Sequence, residues 1–399
     1  MKIGVILDTK INSGGGLHMI MSATSILKNL KINNVEVEFI CTNKDIKKKI
    51  KNELNIDSHL FNKELKINKI KLFLQKINFI KDYIIRKSNL NTFENFLEEK
   101  SIDLVYFVSP SSLVNYCHNF NFLYSIWEFQ YKNTPFFPEY KNNFIDNRDT
   151  HYNFAIKRAF RIILGNKKYK KDFAKTYNFD EERISIVNFP PYIPKKELST
   201  TSDILEEKIK GKKFLFYPSQ FWAHKNHEYL VSAITEHNKN NANDKIFCIF
   251  TSANNDKGNL SYIKKLIKNK NSQEYFIFFD YLSDGDIARL YKKSLAVIFP
   301  SYVGSHSFPL WEGFYFKKPV IFNQYTLDSD LKKFVFQLDV NSMKSLTEKI
   351  NFIKNNVETQ RMVNQSNDYY NLIFDEKYIH ENIKEIVNSY VDFSKKWKF

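Results

Sequence analysis

The chain has 399 residues, enough for two or three domains at roughly 150 residues each. With 43% apolar and 26% charged residues it can bury a real core. Its 37 Phe and 23 Tyr exclude intrinsic disorder, and its 10 Gly and 10 Pro exclude collagen-like and low-complexity classes. The three dispersed cysteines, Cys41, Cys117 and Cys248, exclude a disulfide framework and a thiolate zinc site and fit a reducing cytosol. A net charge of +16 favours anionic partners, although a chain so rich in Lys, Asn, Ile and Phe gains the same excess by solvating its surface. The excess is densest at 44–87, with 13 basic and 5 acidic residues.

No run reaches 18 consecutive apolar residues, so no membrane span is predicted. The first seven residues meet Asp8 without an A-x-A-like cleavage site and read as a buried strand, not a secretory signal. Strands are predicted at 2–7, 35–42, 103–109, 122–126, 161–165 and 184–189. A second set is predicted at 213–218, 246–252, 275–281, 295–300, 319–322 and 334–338. Ile3-Gly4-Val5-Ile6-Leu7 and Ala296-Val297-Ile298-Phe299 are apolar on both faces, as central parallel strands covered by helices must be. Helical periods lie between the strands, for instance at 17–30, 226–236 and 283–294. This alternation predicts an α/β fold of doubly wound parallel sheets.

The alternation breaks once, at 188–212, where Phe189-Pro190-Pro191-Tyr192-Ile193-Pro194 gives way to polar residues. Adjacent prolines forbid helix and set an extended linker. Two Rossmann-like domains are therefore expected, 1–190 and 191–375, with an amphipathic helix at about 376–399 packing back on the first. No repeat of solenoid period is present.

Ligands of open α/β sheets bind beyond the carboxyl ends of the strands, so the loops after the strands carry the information. The first loop places Gly14-Gly15-Gly16 before a helix, where backbone N–H groups can approach an anion. Its spacing matches neither dinucleotide nor P-loop fingerprints, and a plain turn has the same composition. The loop at 217–228 sets Lys225 near the start of a helix, where its charge and the helix dipole act together on a phosphate. His224 and His227 either assist or fill space; alone they are a weak metal pair. The loop at 301–313 holds Gly304, Ser305 and Ser307 just before a helix carrying Glu312. A carboxylate there can accept hydrogen bonds from a ribose diol, or it is an ordinary salt-bridged glutamate.

Residues 216–228 resemble the "P-x-x-F-W-x-H-K-N-H" variant of a signature segment of the retaining glycosyltransferases of family four, which have the GT-B fold. Pro300-Ser301, Pro309, Glu312 and Lys318-Pro319-Val320 are similar to that family's "P-S-x-x-E-G-F-G-x-P-x-x-E-A-x-x-x-G-K-P-V" motif. Tyr281-Leu282-Ser283-Asp284 and Leu290-Tyr291 resemble the connecting "G-x-x-x-D-x-x-L-x-x-L-Y" segment. The resemblance is specific over about 214–325 and only architectural before that.

It implies two Rossmann-like domains facing across a cleft, with a nucleotide-sugar donor on the C-terminal domain and a glycan or lipid-linked glycan acceptor on the N-terminal one. Lys225 falls on the family's diphosphate-binding lysine and Glu312 on its ribose-binding second glutamate, the pair expected to carry catalysis. Donor contacts are expected from Ser219, Gln220, His224, Ser305, His306, Ser307 and Phe308, and from Gly15 and Gly16. Glu128, which follows a strand where relatives often carry His-Asp, and His18 are the candidates for acceptor or sugar hydroxyls; an ion pair is the other reading of Glu128. Two departures stand out. The family's first glutamate is Gly304 here, and its arginine six residues before the lysine is Ser219.

The family is thought to react on one face of the sugar, the leaving phosphate oxygen taking the acceptor proton. No paired carboxylates suggest double displacement. No cofactor is indicated, since the nucleotide-sugar is a substrate, and no metal, since the usual Asp-x-Asp of metal-dependent transferases is absent from a likely strand end. Asp328-Ser329-Asp330 has Asp-x-Asp spacing but reads as a turn or helix cap. Residues 69–87 put Ile70, Phe73, Leu74, Ile77, Ile80 and Ile84 on one helical face flanked by cations. That is the pattern of an interfacial helix on anionic lipid, and equally of a core-facing helix with a solvated rim. The expectation is a cytoplasmic enzyme of bacterial surface polysaccharide synthesis, peripheral on the inner membrane face if that helix is interfacial. The rivals are another nucleotide-sugar enzyme such as an epimerase and a non-catalytic subunit. A nucleic-acid binder is opposed by the lack of any RNP, HTH, KH or zinc pattern.

Overall fold

The computed structural model describes residues 1–9, 14–61, 92–141, 144–193, 202–251, 258–280, 282–304, 308–355 and 357–396. The chain forms two compact units, one of Met1–Phe129, Asp146–Tyr192 and Phe374–Phe399, the other of Gln130–Ile145 and Ile193–Ile373.

The first unit holds β1 (Lys2–Leu7), β2 (Glu36–Cys41), β3 (His59–Leu60), β4 (Leu104–Phe107), β5 (Asn121–Ile126), β6 (Arg161–Leu164) and β7 (Ile184–Ile186). They form one sheet in the order β3-β2-β1-β4-β5-β6-β7. All of its pairs are parallel, with Val5 opposite both Phe39 and Tyr106. The chain winds outward from β1 to β3 and then restarts at β4, so the order reverses between β1 and β4. One face of this sheet is closed by the helix Glu376–Lys396. Its Ile379, Ile383, Ile386, Val387 and Tyr390 recur at helical spacing and lie in the same core as Val5, Leu7, Phe39 and Leu104. Burying five such side chains contributes on the order of 10 kcal/mol before chain entropy is charged. The Tyr390 hydroxyl donates to the Asp103 carbonyl at 3.1 Å and accepts from Asn121 Nδ2 at 3.3 Å, which fixes the helix against the start of β4.

The second unit holds β8 (Phe214–Tyr217), β9 (Phe247–Phe250), β10 (Phe276–Phe278), β11 (Ala296–Phe299), β12 (Val320–Asn323) and β13 (Phe336–Leu338). Their order is β10-β9-β8-β11-β12-β13, again parallel throughout. Here the reversal falls between β8 and β11. The helix Asp284–Lys293 starts at a capping box in which Ser283 and Asp286 each satisfy the other's backbone N–H.

All the strands expected from the sequence are present, trimmed by a residue or more at most ends. The two-residue edge strand β3 is an addition, since two residues carry no period. Residues 130–145 depart from a simple division at residue 190. Two short 3₁₀ turns, Gln130–Lys132 and Pro138–Tyr140, belong to the second unit. No described helix is long and apolar enough to cross a membrane. The basic segment 69–87 lies outside the described residues.

Candidate functional site

In a doubly wound sheet the crevice opens where the strand order reverses, because the flanking loops diverge to opposite faces there. In the second unit these are the loops after β8 and β11, the two segments that the sequence singled out. The structure ties them together through backbone groups. The carbonyl of His224 accepts from Tyr302 N at 2.8 Å and from Ser301 Oγ at 3.2 Å. Asn226 Nδ2 donates to the Pro300 carbonyl at 3.2 Å. Behind them, Asn323 Nδ2 of β12 donates to the Ser301 carbonyl at 3.0 Å.

Lys225 ends a 3₁₀ turn, Ala223–Lys225, directly before the helix His227–Asn240. Its N–H donates to the Trp222 carbonyl at 3.1 Å, and its carbonyl accepts from the buried Tyr217 hydroxyl at 2.7 Å. Asn226 makes the junction in a left-handed conformation, φ 54°, which asparagine tolerates better than most residues. Its Oδ1 accepts from Tyr229 N at 3.3 Å and caps the helix. The half-buried Lys225 is thus held at a helix N-terminus, where the backbone dipole reinforces its charge.

Glu312 lies in the helix Phe308–Tyr315 and is 8% exposed. The fully buried Tyr291 donates its hydroxyl to Glu312 Oε2. Burial first, and the Glu312 charge second, push that phenol well above its ordinary pKa, so it stays a donor. The next residue, Gly313, permits this placement. A Cβ there would lie 2.6 Å from Val320 Cγ2 and 3.5 Å from Val297 Cγ2, the two residues paired across β11 and β12. Phe308 is the half-buried first residue of this helix. Ser305, His306 and Ser307 lie outside the described residues.

Ser219 and Gln220 lie half-buried in the same loop as Lys225. Ser219 N donates to the Tyr217 carbonyl at 2.9 Å, and Gln220 Oε1 accepts from Trp222 Nε1 at 2.9 Å. The two histidines separate. His227 is fully buried and stacks on Phe221 at 4.3 Å between centroids, with Tyr217 and Phe250 around it. Burial, then the charge of Lys225, pushes its pKa down to about 3. His227 therefore fills space. His224 instead bonds the Glu139 carboxylate through Nδ1 and also through its backbone N–H, at 3.1 Å. Its ring stacks on Tyr140 at 6.2 Å. Burial and Lys225 push its pKa down while Glu139 pulls it back up.

Gly304 has φ +94°, a conformation that only glycine adopts freely, and its N–H donates to Gln130 Oε1 at 3.0 Å. Gln130 and Glu139 both come from residues 130–145, and sequence reading missed both, because nothing local marks a partner at such separation.

In the first unit the reversal point is framed by the loops after β1 and β4. Asp8 holds them together. Its Oδ1 accepts from Thr42 Oγ1 at 2.7 Å, its Oδ2 from Ser111 Oγ at 2.5 Å, and its carbonyl from Ser109 Oγ at 2.9 Å. Asp8 was legible only by its place directly after β1. Gly15 and Gly16 open the helix Gly15–Lys28 behind Gly14, φ 84°, with no side-chain cap. His18 is half-buried in that helix's first turn. Glu128, beyond β5, is ion-paired with Arg148 Nη1 at 2.5 Å, and its carbonyl accepts from the Tyr152 hydroxyl at 3.1 Å.

Among the described residues no group of three or more His, Cys, Asp or Glu forms a metal site. Asp328 precedes the 3₁₀ turn Ser329–Phe334 without a side-chain cap, so Asp328-Ser329-Asp330 is a turn.

Residues 200–368 match the model of the glycosyl transferases group 1 family. No curated protein matches the chain. Among solved structures, HepE of Anabaena in complex with UDP and glucose is 13% identical, covers 98% of this chain and 100% of its own, and has a TM-score of 0.72. A glycosyltransferase from Rickettsia africae ESF-5 is 16% identical, with 97% and 98% covered and a TM-score of 0.66. A TarM variant from S. aureus, in complex with fondaparinux, alpha-GlcNAc-glycerol and UDP, is 12% identical, with 97% and 99% covered and a TM-score of 0.64. At these identities the likeness is one of fold, and that fold is GT-B, two Rossmann-like parallel-sheet domains of seven and six strands.

Proposed function

We propose, from the match of residues 200–368 to the glycosyl transferases group 1 family, that this protein transfers a hexose from a UDP-sugar to a glycan or lipid-linked glycan acceptor, with retention at the anomeric carbon. The observation that carries the reading is the joining of the Lys225 turn to the loop before the Glu312 helix at the β8/β11 reversal. Lys225 and the N–H groups opening the helix His227–Asn240 stabilise the diphosphate as charge develops on it. Glu312, oriented by Tyr291, accepts hydrogen bonds from the ribose hydroxyls. The acceptor oxygen bonds to the anomeric carbon as the bond from that carbon to the phosphate oxygen breaks, and the leaving oxygen takes the acceptor proton. Support for uridine comes from similar folds that hold UDP. Glu128 and the Asp8 cluster of the first unit bind the acceptor, and residues 69–87 hold the enzyme at anionic lipid.

The test is thermal shift against UDP, GDP, ADP, CMP and their common sugars, with Lys225→Ala and Glu312→Ala alongside. A ligand at 100 times its dissociation constant stabilises by about 2.7 kcal/mol. A response to UDP compounds alone, lost in both variants, is expected; no response to any nucleotide refutes the reading. Flotation with anionic and neutral vesicles tests the membrane assignment separately. A second reading, donor binding without transfer, is favoured by Gly304, which stands where relatives carry a carboxylate. UDP-sugar binding without sugar release to any acceptor distinguishes it.

A further inference from the structure

The loop that carries Lys225 lacks the arginine expected at position 219, yet a buried carboxylate with no place in the family motif sits beside it. The Glu139 side chain is 4% exposed and comes from the 3₁₀ turn Pro138–Tyr140. Its Oε1 takes both the backbone N–H and Nδ1 of His224. Its Oε2 is buried with no hydrogen-bond partner. An under-satisfied buried carboxylate requires an explanation, because a charge removed from water must be balanced by another charge or by a proton.

The histidine supplies the rest. A ring whose Nδ1–H donates to a carboxylate has its tautomer and orientation fixed, and its Nε2 faces away. Among the described residues none bonds His224 Nε2, and the His224 side chain keeps 13% of its surface exposed. The ring is clamped by Tyr140 on its face and by Phe137, centroid distance 5.9 Å, at its edge. His224 is therefore a pre-oriented imidazole one residue from the cation assigned to the diphosphate.

We propose that Glu139 is a positioning residue for the donor site: with His224 it forms a carboxylate–imidazole pair whose Nε2 takes up one proton from solvent and donates to a phosphate oxygen when the nucleotide-sugar binds. This rests on the donor-site reading above. The charged and titratable groups facing the imidazole are Glu139 from the 130–145 segment and Lys225 on its own turn. His227 on the following helix and the ring of Tyr140 complete its surroundings. In the free protein, Lys225 and burial oppose a second positive charge, so the ring is neutral at pH 7. An arriving diphosphate offsets Lys225, and Glu139 then balances the imidazolium. The proton joins Nε2, no covalent bond changes, and the missing arginine is replaced by a cation that exists only with ligand present.

The experiment is calorimetric titration of the full chain with UDP-glucose at pH 7 in two buffers of different ionisation enthalpy. UDP-glucose carries a diphosphate diester that does not titrate near neutrality, so proton uptake reports the protein. Uptake approaching one proton is expected in the wild type and near zero in Glu139→Gln and His224→Gln, with affinity about tenfold weaker in both. Selective ¹⁵N-histidine spectra of the free protein, assigned with His224→Gln, should show a Nδ1–H tautomer at His224 that Glu139→Gln perturbs. Binding with no proton uptake, or equal uptake in Glu139→Gln, overturns the proposal and leaves the donor site standing. Failure of UDP-glucose and of every other nucleotide-sugar to bind the wild type overturns both.

Discussion

Gly313→Ala tests whether close approach of the Phe308–Tyr315 helix to the sheet sets the position of Glu312. The added methyl would lie 2.6 Å from Val320 Cγ2, whereas carbon atoms in contact sit about 3.5–4.0 Å apart, so helix or strand must move by about 1 Å. Val320 is 1% exposed, paired with Val297 and, being β-branched, stiff at χ1, so it gives way poorly. Overpacking of this kind costs about 1–3 kcal/mol, and so short a contact belongs at the upper end. The gain in helix propensity from Gly to Ala returns about 1 kcal/mol. The net expectation is a loss of about 2 kcal/mol, read as a lower urea midpoint at unchanged slope. Moving the helix also draws Glu312 off Tyr291, so affinity for UDP should fall with it. Val320→Ala opens the contested space at its own cost, and in that background Gly313→Ala should cost little further, a favourable coupling of about 2 kcal/mol. A Gly313→Ala protein as stable as the wild type, or a cycle with no coupling, refutes the reasoning.

Tyr291→Phe removes the hydroxyl that the buried Glu312 carboxylate accepts from, and should cost about 1.5–3 kcal/mol of stability by urea denaturation and weaken UDP binding. Gly304→Ala meets no atom within 4 Å, so its cost is backbone strain alone, about 1–3 kcal/mol by the same assay, and Gly304→Asn should lose less. His227 has a folded pKa of about 3, below the unfolded value of about 6.5, so the unfolded chain binds the proton first. Its contribution is complete above about pH 6.5 and falls by up to about 1.4 kcal/mol per pH unit below that. His227→Phe should therefore shrink the stability lost between pH 7 and pH 5 by about 2 kcal/mol, and an unchanged loss would contradict the assignment. Glu128→Gln breaks a partly exposed ion pair worth at most about 1 kcal/mol, so it should slow sugar transfer while leaving stability and UDP affinity nearly unaltered.

The sheets were legible because central parallel strands are apolar on both faces, and runs such as Phe214–Tyr217 and Ala296–Phe299 have few other uses. The helix Asp284–Lys293 was legible from its apolar spacing, and its capping box came from the structure. Lys225 and Glu312 could be singled out because their loops follow strands and carry the two segments that resemble the family motifs; that both strands flank the reversal of sheet order is visible only in the structure. Tyr291 beneath Glu312, Glu139 beside His224 and Gln130 at Gly304 were not legible as partners. Each lies 21 residues or more from the group it bonds, and hydrogen bonds across such separations leave no periodic trace. His227 was ambiguous in sequence for a related reason, since only the aromatic rings of Tyr217, Phe221 and Phe250 around it show that it belongs to the core.

The two departures from the motifs that the sequence resembles and the one departure from a division at residue 190 fall in the same place. Position 304 lacks the usual glutamate, and there the segment 130–145 contributes Gln130, which holds the N–H of a glycine whose φ of +94° makes any larger residue costly. Position 219 lacks the usual arginine, and beside Lys225 on that loop the same segment contributes Glu139, which holds His224. A segment that supplies a bond at each altered loop is fixed by both, and Phe137 and Tyr140 add ring contacts with Tyr302 and His224 of the same unit. A glutamate alone at position 304 would have to hold a strained backbone or loosen the bond to Gln130. Reinstating the arginine alone would set a second permanent cation near an imidazole that Glu139 already pulls towards charge. The loops and the segment are one physical unit, and substitutions in it should behave non-additively.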